Sequence, residues 1–468
     1  MGQTFEVIGP VSSGSRGNAF GASVLDLSTH GFVQEEFFLG GEASAYEAAP
    51  GTSLGEDGHW QVRANRAARF RTRILVTRPA DPARFSGTVL LSWLNVTAGY
   101  EIVGASEAAL RAGDASVAVS AQRVGIEGLP GAEERGLRAW DPERYGSLEH
   151  PGDDHSFDIF THAARAVGRD RGALAVDPMA GLPVRQVIAT GGSQSAIRLN
   201  SYLNGIQPLE GALDGALPSV STGYATVFDT RALEARTGAP DMASIMATMC
   251  RTRIRDDLDV PVLLVTTETE APGYLPLRQP DTDRFRTWEI AGAAHSGAAG
   301  ANDAIVRMFE RDGLPVPPGM GAEGAAGPQP NSISYLPVMA AATRHLRTWV
   351  EGGAPPPSFE LIRFAGDPLQ IVRDEHGNAV GGIRMPELEV PVARYRGSGE
   401  GDQLASLSGS TTPFPEDELR RLYRDRADYL EQYAAAVRRG VEQGLFLAED
   451  ADSIVTAAAD RWGARFPS

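Results

Sequence analysis

The sequence predicts an α/β protein built on a mostly parallel, doubly wound sheet, and three observations carry that prediction. Short apolar runs alternate with helical patterns between residues 88 and 266, as buried parallel strands and their crossover helices require. One strand-to-helix junction, Val187-Ile188-Ala189-Thr190-Gly191-Gly192-Ser193-Gln194-Ser195-Ala196, sets a single serine among small residues at the apex of a sharp turn. No repeat of fixed period and no clean linker divides the chain. One large domain is therefore expected over 1–468, with a strand-rich N-terminal part, a lid-like insertion at 221–257 and a C-terminal helical extension at 412–468.

Taken in order, the first stretch reads as antiparallel strands. Phe5-Glu6-Val7-Ile8, Phe32 to Phe38, Trp60 to Arg63 and Phe70 to Arg78 alternate or run apolar, with Gly, Pro and Asp clusters between them. Thr88 to Leu94 is apolar enough to be buried on both faces. A helix follows over Glu107 to Arg111, stopped by Gly113, and then a strand over Ser116 to Ala121. A helix over 156–168 precedes the serine-bearing junction, and strands over Leu213 to Pro218 and Val260 to Thr266 complete the series. In such sheets the active site lies at the carboxyl ends of the strands, where this serine falls.

Within the insertion, Met242, Ile245, Met246 and Met249 recur at the spacing of one helix face. That pattern suits either a core-facing stripe or a lid whose Met242, Met246 and Met249 line a substrate pocket. Past residue 300 the chain becomes loop-rich, notably at 315–319 and 321–330. Leu336 to Gly352 then reads as a helix, and 354–411 as strands and turns with a hairpin tip at Glu375-His376-Gly377-Asn378. One long amphipathic helix is expected from about Pro415, carrying Leu419, Leu422, Tyr423, Leu430, Tyr433, Val437 and Val441, and a shorter one from about Asp450.

Composition narrows the function classes. The formal net charge is −17 with 60 acidic residues against 43 basic ones, and every basic residue is arginine. Without a basic block, nucleic acid is not expected as a partner. A single cysteine, Cys250, excludes an internal disulfide and a thiolate metal cluster. No secretory pattern opens the chain and no apolar run reaches the length of a membrane span, so a cytoplasmic protein without a membrane partner is expected. Oligomeric state is not legible.

A serine hydroxyl is a weak nucleophile that needs a base, and the base needs an orienting acid. The chain order serine, acid, histidine is present. Beyond the strand ending near Thr266 stand Glu268 and Glu270, and further on His295 follows a short strand and a loop of small residues. His295 is the expected base. Glu270 is the favoured acid and Glu268 its alternative, because in an extended segment both would point to one side and compete. The developing oxyanion needs N–H donors. Gln194, just after the serine, supplies one, and the turn Asn95-Val96-Thr97-Ala98-Gly99 supplies the other from Val96 or Asn95. Asp153-Asp154-His155 has metal-ligand residue types, but an acidic helix N-terminus explains it better. No metal and no cofactor are expected.

Several blocks together resemble the α/β-hydrolase superfamily, and within it the bacterial group called alpha/beta hydrolase domain proteins. They are Ser92-Trp93-Leu94-Asn95-Val96-Thr97, Ser120-Ala121-Gln122-Arg123-Val124-Gly125, Arg144 to Leu148, Thr190 to Ala196, Tyr202-Leu203-Asn204, Gly381 to Pro386 and Ser408 to Thr411. Ser195 stands where many hydrolases carry glycine, and Glu where many carry Asp as the acid. The resemblance implies an α/β-hydrolase fold and a cofactor-free serine hydrolase acting on a small-molecule carboxylic ester or lactone. A non-catalytic ligand-binding protein on the same fold and an acyltransferase using the same acyl-enzyme are the alternatives.

Overall fold

A computed structural model of the chain describes residues 5–104, 106–231, 247–296, 303–316, 329–399 and 403–466. They fall into two compact units, one of Met1–Val262, Leu277–Arg284 and Ala304–Pro315, the other of Leu263–Pro276, Phe285–Asp303 and Val316–Ser468.

In the first unit, β1 (Phe5–Ile8), β2 (Phe32–Ala48) and β3 (Val62–Pro79) form an antiparallel ribbon. The strands are longer than the apolar pattern suggests. Backbone pairing continues through Gly41 opposite Phe70 and Ala43 opposite Ala68, because a ladder of N–H and C=O groups tolerates small side chains. The ribbon joins β5 (Ala115–Val119), which is antiparallel to β3 and parallel to β4 (Thr88–Trp93). Next come β6 (Gln186–Gly192) and β7 (Gly215–Ser219), both parallel. The strand order is thus β1-β2-β3-β5-β4-β6-β7.

That order reverses direction at β4, since β5 lies on one side of it and β6 on the other. In sheets of this kind, ligands bind at the carboxyl ends of the strands at such a switch point. Helix α1 (Glu107–Ala112) stops at Gly113, whose φ of 75° closes its last turn. Helix α2 (Ser156–Val167) is buried along almost its whole length. The Trp93 ring lies 4.6 Å from Phe160 and 5.6 Å from Phe157, and Phe160 meets Tyr202 edge-on at 5.6 Å. Burial of each such side chain contributes about 1.5–3 kcal/mol. These rings fix the end of β4 against the helices on that face.

Helix α3 (Gln194–Ser201) follows β6 and passes through a π-helical turn at Tyr202–Ile206. Two asparagines on it hold the stem of the insertion. Asn200 donates to Ser221 Oγ at 3.0 Å and Tyr224 O at 2.9 Å, and Asn204 donates to Arg253 O at 2.9 Å and accepts from Arg255 N–H at 3.0 Å. The stem is an antiparallel pair, β8 (Tyr224–Thr226) and β9 (Met249–Arg251). Met249 therefore sits on a strand opposite Thr226, not on the helix its spacing implied. Pairing with the other side of the stem overrides the local pattern. Met242 and Met246 lie outside the described residues.

In the second unit, β10 (Val262–Thr267), β11 (Phe285–Ala291) and β14 (Ile383–Arg384) are neighbours in that order, with β14 parallel to β11. Between the last two come α4 (Leu336–Val350) and a short hairpin, β12 (Phe364–Ala365) with β13 (Gln370–Ile371). A second pair, β15 (Ala393–Arg396) with β16 (Ser410–Pro413), precedes the terminal helices. The single long helix expected from Pro415 is two, α5 (Glu416–Leu422) and α6 (Arg426–Glu442), followed by α7 (Ala451–Trp462). The break has a cause: Tyr423 turns extended and its hydroxyl donates to Pro391 O at 2.9 Å, while the Asp425 side chain caps a new helix by accepting from Asp428 N–H. No described helix is long and apolar enough to cross a membrane.

Candidate active site

Ser193, Gln194, Asn95 and Val96 belong to the first unit, and Glu268, Glu270 and His295 to the second. Strand β6 ends at Gly192, and Ser193 follows with φ 59° and ψ −121° before α3 begins. A non-glycine residue there carries strain of about 1–3 kcal/mol and needs support from its surroundings. The support is visible. Ser193 N–H donates to Ser219 O at 3.0 Å, and its carbonyl accepts from Ile197 N–H at 3.1 Å. The Ser195 hydroxyl accepts from Gly192 N–H at 3.0 Å and donates to Gly192 O at 2.9 Å, so it closes the turn on itself. Glycine is required at 191, where a Cβ would come within 2.9 Å of Ser195 O. The small residues legible in the sequence are thus the ones that let strand and helix pass so closely.

Gln194 opens α3, so its N–H has no partner within the helix. Its side chain is anchored: Nε2 donates to Gln122 Oε1 at 3.0 Å, and the same oxygen accepts from Trp93 Nε1 at 3.1 Å. Gln122 Nε2 in turn donates to Asp153 Oδ2 at 3.3 Å, which also takes Arg198 Nη2 at 2.7 Å. Burial opposes the charge on Asp153, but Arg198 and His150 outweigh it and hold its carboxyl below the usual range. Nothing in the sequence marked Gln122 apart from its place in the Ser120–Gly125 block. Asp153 and Arg198 are an internal ion pair, and Asp154 is paired with Arg66 and with His155 Nδ1 at 2.8 Å. The acidic triplet is accordingly occupied by cations of the chain itself.

In the loop after the neighbouring β4, Asn95 uses its side chain as a clamp. Oδ1 accepts from Thr97 N–H at 2.8 Å, and Nδ2 donates to Gly192 O at 3.1 Å, which ties the loop after β4 to the residue before Ser193. The Asn95 carbonyl accepts from Ile102 N–H at 2.9 Å, and the Val96 carbonyl from Gly99 N–H at 3.0 Å, so the turn is tight around Val96. Its far end is held by a buried ion cluster in which Arg73 Nη2 donates to Glu101 Oε2 at 2.7 Å and Nη1 to Glu36 Oε1 at 3.3 Å. Burial raises the Glu101 carboxyl despite Arg73.

In the second unit the chain leaves β10 in a turn instead of continuing extended, so Glu268 and Glu270 diverge. The fully buried Glu270 points Oε1 at His295 Nδ1, 2.7 Å away. Its Oε2 accepts from Thr267 N–H at 3.0 Å and Thr267 Oγ1 at 2.6 Å. Both carboxylate oxygens are thereby oriented. The loop bearing His295 is pinned at each end: His295 N–H donates to Thr269 Oγ1 at 2.9 Å, and Tyr335 donates to His295 O at 3.0 Å. Burial, with the Glu270 charge, pushes the Tyr335 phenol well up, which keeps it a donor.

Glu268 serves the backbone instead. Oε2 accepts from Gly292 N–H at 2.8 Å, and Oε1 accepts from Gly397 N–H at 3.0 Å and meets Arg373 at 2.8 Å. Gly292 has φ 73°, and Asn331 Nδ2 donates to its carbonyl at 2.6 Å. Glu268 therefore fixes the turn that leads into His295. Glu268→Ala leaves two N–H groups without their acceptor and a guanidinium without its counter-charge, and is expected to cost about 3 kcal/mol of stability in a denaturant melt. A loss under about 1 kcal/mol, the scale of an exposed ion pair, would contradict that role. Thr267, Thr269, Tyr335 and Asn331 carried no sequence signal, since their function exists only through contacts.

Elsewhere, His59, Asp256 and Asp257 form a group of metal-ligand residue types with donor atoms within 4.8 Å of one another. All three are exposed, and Asp257 is engaged by Arg255 at 2.5 Å, as in a surface ion-pair network.

A strained serine elbow after a central parallel strand, with helices following the strands, defines an α/β-hydrolase fold. Residues 7–456 match the family described as alpha/beta hydrolase domain, and the chain belongs to that family. Among solved structures, one of two prolyl endopeptidases is 13% identical with a TM-score of 0.30, over 61% of this chain and 39% of its own. A glucuronoyl esterase from Solibacter usitatus is 11% identical with a TM-score of 0.29, over 62% of this chain and 81% of its own. Brefeldin A esterase, a bacterial homologue of human hormone sensitive lipase, is 13% identical with a TM-score of 0.26, over 63% of this chain and 70% of its own. No curated protein matches the chain.

Proposed function

We propose that the chain is a serine hydrolase that cleaves a small-molecule carboxylic ester or lactone through an acyl-enzyme. The observation that carries the reading is Ser193 itself, a non-glycine residue at φ 59° where a parallel strand meets a helix. Family membership supports a hydrolase. In this reading Ser193 Oγ attacks the ester carbonyl and His295 accepts its proton. Glu270, 2.7 Å from His295 Nδ1, holds that nitrogen protonated so that Nε2 is the base. The N–H groups of Gln194 and Val96 stabilise the tetrahedral oxyanion. His295 returns the proton to the leaving alcohol, or to the departing end of the same molecule in a lactone. Water then repeats the cycle on the acyl-enzyme.

A fluorophosphonate probe tests the reading directly, because it reacts only with an activated serine. Labelling of the peptide that contains Ser193, lost in His295→Ala, is the expected outcome. An unlabelled Ser193 in folded protein would instead mark a binding protein that keeps the fold without the chemistry.

A further inference from the structure

Three non-glycine described residues have positive φ: Ala180, Ser193 and Val220. Ser193 is explained by the elbow and Ala180 lies in an exposed turn, but Val220 is a buried, β-branched residue at φ 44°. Branching at Cβ makes that backbone conformation especially unfavourable, so it persists only where neighbours impose it.

The neighbours are those of the nucleophile. Val220 follows β7, whose last residue, Ser219, pairs with Gly192 and accepts from Ser193 N–H at 3.0 Å. On its other side, Ser221 Oγ accepts from Asn200 Nδ2 on α3 at 3.0 Å. The strained residue is thus clamped between the strand and the helix that form the elbow. A Cβ placed on Gly192 would find Ser219 Oγ at 3.3 Å and Val220 Cγ2 at 3.9 Å. The bare side of Gly192 therefore faces one hydroxyl and one methyl group.

We propose that Val220 is a specificity-determining residue whose methyl groups wall the acyl side of the site and limit the length of the acyl chain carried by Ser193. The proposal rests on the reading of Ser193 as the acylated nucleophile. An apolar wall suits a hydrocarbon chain and no charged group. A forced turn explains why the wall stands at this position: in a relaxed conformation the side chain would leave the face of Gly192. Removing methylene-sized volume from an apolar pocket shifts selectivity by about 10–200-fold per group.

The test compares wild type with Val220→Ala, Val220→Gly and Ala180→Gly on p-nitrophenyl esters from acetate to decanoate. Both Val220 variants should raise kcat/KM for the longest turned-over acyl chains relative to acetate by at least about 10-fold. Val220→Gly should melt above Val220→Ala, the reverse of the order at a relaxed position, because only glycine relieves the strain. Ala180→Gly should raise the melting temperature with acyl selectivity unchanged. Unchanged selectivity in both Val220 variants, with turnover still dependent on Ser193, overturns the inference alone. No turnover of any ester and no fluorophosphonate labelling of Ser193 in wild type overturns the nucleophile reading, and the acyl wall falls with it.

Discussion

Ser193→Ala is expected to lower kcat for a reactive p-nitrophenyl ester by roughly a million-fold, the scale seen when an acyl-enzyme nucleophile is deleted. The variant should remain folded. Two contacts by which residue 193 supports the elbow are backbone ones, its N–H to Ser219 O and its carbonyl to Ile197 N–H, and alanine keeps both. Alanine also bears the same backbone strain as serine at φ 59°, so the turn gains no reason to relax. Circular dichroism and a thermal melt alongside the kinetics separate lost chemistry from lost structure. Retention of even a hundredth of wild-type kcat in a folded variant would remove Ser193 from the mechanism.

Glu270→Gln should cost about 10⁴-fold in kcat with KM and melting temperature little changed. The reasoning is a count of donors. The carboxylate accepts at both oxygens, from Thr267 N–H and Oγ1 on one side and at His295 Nδ1 on the other. An amide has one acceptor oxygen. If that oxygen keeps the Thr267 donors, the NH₂ faces Nδ1, which must then accept, and the imidazole proton moves to Nε2 where the base is needed. If the amide flips, its NH₂ opposes the Thr267 N–H. That donor–donor clash disfavours the flipped form, which alone would keep an acceptor for Nδ1–H, so the first arrangement prevails and disarms His295 while preserving shape. Glu268→Gln, which touches backbone groups and Arg373, should spare kcat by comparison. Equal kcat losses in the two Gln variants would contradict the division of roles between the two acids.

Much of the fold was legible because burial leaves a mark on composition. Val89-Leu90-Leu91 and Val187-Ile188-Ala189 are buried strand interiors and read as such. The elbow was legible partly for a steric reason, since a Cβ at Gly191 would come within 2.9 Å of Ser195 O. Local pattern failed where pairing or capping overruled it. The ribbon of β2 and β3 runs on through glycine and alanine, Met249 enters a strand, and Asp425 restarts a helix that its apolar stripe would have continued.

The chain by itself determined the doubly wound class, the serine at the apex and the later histidine with two candidate acids, because each is written in a run or turn of contiguous residues. The sequence favoured Glu270 over Glu268, and only the tertiary structure shows the different contacts the two make. Two positions apart in sequence, they separate because the chain turns after Thr267, and a carboxylate's role is set by the donors that reach it: an imidazole and Thr267 for one, the N–H groups of Gly292 and Gly397 for the other. The strain at Val220 was equally invisible, for a backbone angle forced by neighbouring elements leaves no trace in the identity of the residue that bears it.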